Sequence, residues 1–313
     1  MSLPILRPVP HSSLRPWAGS RLGAEGGQVG ERWLAGPDLV VDAGAWGTLT
    51  LDELARAAGE ALVGGRGMAL LGPRFPLLVK LIDAAEWLSL QVHPSDELAV
   101  ELYGAGALGK AEAWVILDAA PGTSLITGPR HGLAAGELRH AVRAGTVGRE
   151  HCDERPATPG DVLLLEPGTL HAIGAGAFVY EIEQPSDLTF RVSDWGRPAT
   201  PGRGLHIEDS LRAIRPDAHA RPVGRDWRLD GGALTVPQFR LEIAAVAEGL
   251  TRAPAGDSPE VVTVIRGRAI VSGDGWREPL DTYGTLVVPA SVPGYRVEGS
   301  DDGLACIGML PPA

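Results

Sequence analysis

A chain of 313 residues, 44% hydrophobic and 21% charged, has ample material for a core, and this composition excludes wholesale disorder. Its formal charge of −11, with no basic stripe to balance it, excludes a nucleic-acid surface; a phosphate ligand would need a local cluster of Lys and Arg. Gly (42) and Pro (26), abundant and without a period, point to many short strands and tight turns rather than a helical bundle.

In chain order, short strands are predicted at Arg32–Leu34 and Leu39–Val41. Asp52–Leu62 follows as a helix capped by Thr50, with Leu51, Leu54, Ala55, Ala58 and Leu62 on one side. Phe75–Asp83 reads as a buried strand interrupted by Lys80, either a snorkelling edge residue or a functional cation inside a barrel. Strands at Leu88–Val92 and Glu112–Leu117 precede a helix over Leu133–Ala144. A turn at Gly160 then feeds a strand ending near Glu166, and Phe178–Glu183 and Leu188–Val192 continue the pattern. A crossing segment rich in Pro, Gly and Arg carries a short helix near Glu208–Ile214, and a domain boundary is expected within 215–237. Strands at Phe239–Ala245, Val261–Ile265, Arg268–Val271, Thr285–Val288 and Tyr295–Glu298, separated by turns, form a second, smaller all-β module.

Cys152 and Cys306 lie far apart and read as free thiols in a reduced compartment. No apolar run approaches the roughly 18 residues of a membrane span, and the N-terminus lacks the pattern of a secretory signal. These features predict the cytoplasm.

Three short motifs carry the chemistry: Gln91-Val92-His93-Pro94, Gly109-Lys110-Ala111-Glu112 and Pro167-Gly168-Thr169-Leu170-His171. Gln91 and His93 project from the same face of a strand, as do Lys110 and Glu112. Two neutral imidazoles, a carboxylate and an amide oxygen suit zinc or another borderline divalent ion, and such a centre polarises carbonyls and stabilises an enediolate. The bland alternative makes each His an ordinary hydrogen-bonded residue. Lys110 beside the ion reads as a proton shuttle with a lowered pKa. Glu181 and Glu183 share a strand face and are either a solvated pair or part of the site. Arg191, Asp194 and Arg197 are either a salt-bridge cluster or a place where Arg191 anchors a phosphate or oxyanion.

The two halves share a weak repeat. Gly160 leads through a strand to His171, and Gly284 leads through Leu286-Val287-Val288 to Gly294, which has no imidazole to offer. A duplicated barrel with one live and one dead metal site accounts for this.

The motifs resemble, in order, those of the type I mannose-6-phosphate isomerases in their shorter bacterial form. The match begins at Arg15-Pro16-Trp17-Ala18-Gly19 and Gly30-Glu31-Arg32-Trp33, and runs through Phe75–Ala84, Leu88–Pro94 and Gly109–Trp114. It continues through Pro167–Gly174 and closes on Glu181–Arg197, while the C-terminal third is not specific. Departures are small: Ala18, Ala111 and Phe190 replace residues common in the family, and Glu166-Pro167 alters the turn before His171. The resemblance implies a mainly β double cupin, two jelly-roll barrels with a small helical part. Residues 1–220 would be the catalytic cupin with a short helical insertion, and 221–313 a cupin-like domain without metal ligands. It further implies one zinc per chain on Gln91, His93, Glu112 and His171, though other divalent ions fit the same donors. Arg191, Lys110 and Glu181 fall on active-site positions, and Lys80 and Ser89 on positions linked to substrate phosphate. The implied reaction interconverts mannose 6-phosphate and fructose 6-phosphate through an enediol(ate), in a monomer or homodimer with no nucleic-acid or membrane partner. The rivals are a metal-dependent cupin acting on another sugar phosphate, an iron oxygenase, and a non-catalytic sugar-binding cupin.

Overall fold

Period-two alternation cut by Gly- and Pro-rich turns builds a mainly β molecule with few helices. Its structure, a computed structural model, describes residues 3–23, 28–225, 232–254 and 256–312. The chain divides into two compact units, one of residues 12–32 and 81–225, the other of residues 1–11, 33–80 and 226–313. Residues 226–231, inside the segment expected to hold the boundary, lie outside the described ones. Among the described residues no helix is long and apolar enough to cross a membrane.

Eight strands lie between residues 78 and 183: β1 (Leu78–Asp83), β2 (Leu90–Val92), β3 (Glu112–Ala119), β4 (Ser124–Pro129), β5 (Cys152–Pro156), β6 (Asp161–Leu165), β7 (Ala172–Ile173) and β8 (Ala177–Glu183). One sheet contains the order β1-β8-β3-β6, extended by strands His11–Leu14 and Val29–Ala35 at one edge and Arg221–Arg225 at the other. The other runs β7-β4-β5, and a bridge between Gln91 and His171 adds β2 beside β7. A further strand, Phe190–Ser193, pairs with β2.

A second set of eight follows: β9 (Arg240–Ala245), β10 (Leu250–Arg252), β11 (Glu260–Arg266), β12 (Ala269–Gly273), β13 (Trp276–Leu280), β14 (Thr285–Val288), β15 (Tyr295–Gly299) and β16 (Leu304–Met309). Their orders are β9-β16-β11-β14 and β10-β15-β12-β13, the first set repeated strand for strand. Paired sheets interleaved in this order have the connectivity of a jelly roll. Gly160 precedes β6, and Gly284 precedes its counterpart β14.

Several elements depart from the sequence expectation. Thr50 caps a helix as expected, in a reciprocal box with Glu53, an arrangement worth about 1 kcal/mol. That helix stops at Ala58, because Gly59 turns the backbone to φ 54°, and a second helical stretch over Glu60–Leu71 is itself broken at Gly64, where φ is 75°. Helix Asp96–Tyr103, capped by Ser95, was not expected. Nor was β16, whose six residues are all buried and so show no alternation.

Period two also separates the site from the core. Leu90, Val92, Phe190 and Val192 enter one apolar cluster with Leu138, Ala141 and Val142 of helix Ala135–Ala144. Gln91 and Arg191, directly opposite each other on paired strands, face the other way. Trp114, Ile116, Leu125, Leu163, Leu165, Ile173 and Val179 form a second cluster beside the polar residues of β3 and β8.

Candidate metal centre and active site

Glu112 opens β3, with Leu165 of β6 on one side and Glu183 of β8 on the other. Two residues before it, the Gly109–Lys110 turn packs against Pro94–Asp96. A Cβ on Gly109 would stand 2.5 Å from the Ser95 carbonyl carbon, so glycine is required for this approach. Side-chain hydrogen bonds fasten the turn. Gly109 N–H donates to Asp96 Oδ1 (2.7 Å), Gln184 Nε2 to the same oxygen (3.0 Å), Ala111 N–H to Gln184 Oε1 (2.8 Å), and Ser186 Oγ to the Leu108 carbonyl (2.8 Å). His171 is held by paired backbone bonds with Gln91, 3.0 and 2.9 Å long.

These elements bring His93, Glu112 and His171 together, all buried, with one ligand atom of each within 4.8 Å of the others. The His93 ring meets the Leu188 carbonyl through Nδ1 (2.9 Å), and His171 meets the Thr169 carbonyl likewise (2.8 Å). A carbonyl only accepts, so both Nδ1 atoms carry the hydrogen and both Nε2 atoms present lone pairs; the tautomers are assigned from this network. Those lone pairs face Glu112, with His93 Nε2 3.2 Å from Oε2 and His171 Nε2 3.3 Å from Oε1. Protonation of the rings is opposed: burial, then Lys110, pushes His93 down to about 3, and burial lowers His171. Burial favours the neutral carboxyl of Glu112, but Lys110 and the two histidines outweigh it and hold the group well below the usual range. Among the described residues neither Glu112 oxygen nor His171 Nε2 has a hydrogen-bond donor.

Buried acceptors converging on one point require a cation. Lys110 supplies part of it: its ammonium lies 3.0 Å from Glu112 Oε2, off hydrogen-bond alignment, and 2.7 Å from Glu183 Oε2. The lowering of its pKa expected from burial and a neighbouring ion is opposed by its own carboxylate neighbours. Burial does act downward, but Glu112, Glu183 and Glu181 together outweigh it and raise the group well above the usual lysine value. Counted as ionised, Glu112, Glu181 and Glu183 against Lys110 leave two buried negative charges, which a divalent ion cancels. The donor set and this charge therefore fit a divalent metal.

Glu181 is buried and accepts from Trp114 Nε1 (2.9 Å), the residue opposite it on β3. Gln91 shares the face of His171 and Arg191, the residues paired with it on either side. Arg191 Nη1 donates to the Gly204 carbonyl (2.9 Å), and its buried Nε has no partner among the described residues. Asp194 is engaged instead by Arg197 and Arg203, each at 2.8 Å. Burial and then the charge of Arg203 lower the Arg191 pKa, with Arg15 and Arg197 adding to the repulsion. A guanidinium pressed by other arginines is suited to an anion. Ser89 is buried just before β2. Lys80 belongs to the other unit, where it is buried with its ammonium 4.9 Å from the Trp33 ring.

Sequence reasoning missed the roles of Glu183, Asp96, Gln184 and Arg203. Glu183 carried a signal, the shared face with Glu181, but its partner depends on strand register. The others act from loops and a helix start that no periodicity marks.

The family profile for the phosphomannose isomerase type I catalytic domain matches residues 35–108. Over 222 residues, 66% of this chain and 67% of the relative, the sequence is 38% identical to a mannose-6-phosphate isomerase of Streptococcus mutans. It is 41% identical over 235 residues to a probable mannose-6-phosphate isomerase of Bacillus subtilis, covering 73% of this chain and 74% of the relative. Among solved structures, a mannose 6-phosphate isomerase from Bacillus subtilis superposes with a TM-score of 0.79 at 26% identity, covering 97% of this chain and 99% of that one.

Proposed function

The chain belongs to the type I mannose-6-phosphate isomerases, and we propose that it interconverts mannose 6-phosphate and fructose 6-phosphate at the His93–Glu112–His171 centre. The observation that carries the reading is that both Glu112 oxygens and His171 Nε2 are buried without a hydrogen-bond donor among the described residues, beside a lysine whose charge three carboxylates favour. In this reading His93, Glu112 and His171 would hold one zinc ion, with Gln91 as the fourth ligand, and the bound ion would supply Lewis-acid polarisation of the sugar oxygens.

The chain's own groups do the rest. Lys110, its charge favoured by three surrounding carboxylates, donates to the sugar oxygen that gathers charge. Glu181, oriented by Trp114, takes the proton from C2 and returns it to C1, while the C2 hydroxyl loses its hydrogen and the C1 oxygen gains one. Arg191 holds the phosphate or the developing oxyanion, so that binding energy away from the reacting carbons keeps them in register. Ser89 and Lys80 are assigned to substrate on the family resemblance alone. Residues 1–220 and 221–313 are proposed as catalytic and metal-free cupin domains, and the cytoplasm as the location.

A coupled assay over hexose and pentose phosphates tests this. Mannose 6-phosphate should yield fructose 6-phosphate faster than any other member of the panel reacts, with no oxygen consumed. A preference for another sugar phosphate would transfer the site to that substrate, and binding without turnover would make the protein a sugar-binding cupin.

A further inference from the structure

A second group of ligand-type side chains lies in the same unit as the site, on different elements. His131 follows β4, Asp153 lies on β5, and His219 lies on the stretch leading into strand Arg221–Arg225. The Ala220 N–H donates to the Thr127 carbonyl (2.6 Å) and brings this stretch against β4. Gly128 makes room for it: at φ 155°, a Cβ there would stand 2.4 Å from His219 Cδ2 and 2.9 Å from the Ala218 carbonyl oxygen. The two imidazoles stack with centroids 4.2 Å apart and planes 27° apart. The Asp153 carboxylate accepts from the His131 backbone N–H at 3.2 Å and touches His131 Nδ1 through Oδ2.

The His219 ring meets a backbone carbonyl through each of its nitrogens. Its Nδ1 lies 3.2 Å from the Asp217 carbonyl oxygen and its Nε2 2.8 Å from the Pro129 carbonyl oxygen, so either tautomer donates to a carbonyl. Asp153 Oδ2 lies 3.3 Å from the same Nε2. One ligand atom from each of His131, Asp153 and His219 lies within 4.8 Å of the others, and a backbone bond that orients a histidine through its other nitrogen is characteristic of metal ligands.

We propose that His131, Asp153 and His219 bind a second divalent first-row ion, zinc by its donor set, in a peripheral site that the Pro129 carbonyl completes. Two imidazoles and a carboxylate suit zinc and leave a position for water. The ion fastens three separate stretches, residues 127–131, 152–153 and 217–220, and so acts as a clip on the fold rather than in the reaction. With the His131 side chain 79% exposed, it exchanges freely and binds more weakly than the buried ion.

Equilibrium dialysis against zinc, followed by metal analysis, tests this. At saturating zinc the wild type should bind one ion more per chain than His131→Ala, and one more than His219→Ala. Both variants should keep sugar-phosphate interconversion and lose a zinc-dependent rise in Tm. His131→Ala removes an exposed side chain, so a folding failure cannot imitate the result. Equal ion counts in the wild type and His131→Ala would overturn the site. The extra ion should persist in Glu112→Gln, so this proposal and the catalytic one fail separately.

Discussion

Glu112 and Glu260 each open the third strand of their set of eight, with Leu165 of β6 and Val288 of β14 beside them, yet they meet opposite surroundings. Glu112 faces two histidine lone pairs and a lysine. Glu260 accepts from Arg252 Nε (3.1 Å) and Nη2 (2.8 Å) and from the Tyr295 hydroxyl, while Arg252 Nη1 donates to Glu242. The strand pairing matches as well: Arg252 lies opposite Tyr295 as Gln91 lies opposite His171. The counterpart of His171 is therefore Tyr295, one residue beyond the Gly294 expected from the turns. Burial works against the Arg252 charge, but the hydrogen bonds and charge of Glu260 outweigh it and raise the pKa; burial and then Glu260 raise that of the Tyr295 phenol. One barrel position thus contains its own cation as a guanidinium, and the other leaves a place for a cation from outside. A buried carboxylate at this point needs a positive charge in either case.

The largest effect expected from breaking this contrast is at the acceptor cluster. His93→Ala should lose the buried ion and reduce kcat by at least about a thousandfold, because the charge-stabilising centre goes with it. Metal analysis beside the coupled assay reads both. Arg252→Ala removes the built-in cation of the other unit and strands Glu260, which should cost about 3–5 kcal/mol in urea unfolding with kcat per folded molecule unchanged. The pair Arg252→Met with Glu260→Gln should recover most of that loss, and a double variant as unstable as the single one would argue against charge stranding. Arg191→Ala should keep the ion and raise KM for the sugar phosphate about 10- to 100-fold, with Arg191→Lys intermediate. Gln184→Leu cuts the ties to Ala111 and Asp96 and should weaken the hold on metal about 10-fold, at the low end for a residue that only orients the site.

The Glu112 side of the contrast was largely legible in the sequence, and the Glu260 side only as a lack of imidazole. Gly109-Lys110-Ala111-Glu112 and Gln91-Val92-His93 fix side-chain faces by the two-residue period, and the tight turns fix where strands end. The charge balance was not legible. Lys110 was expected to be depressed by a neighbouring ion, whereas three carboxylates surround it, one of them Glu183, reached only through the register of β3 with β8. Arg203 and Asp96 approach the site from segments without periodicity, and β16, buried on both faces, lacks the alternation that marks a strand.

Chelation followed by readdition of metal tests most directly whether the Glu112 cluster works through a bound cation. Exhaustively chelated protein, still folded by circular dichroism, should no longer interconvert the two sugar phosphates and should recover when the buried site is refilled. Full activity in the metal-free, folded protein would contradict the account.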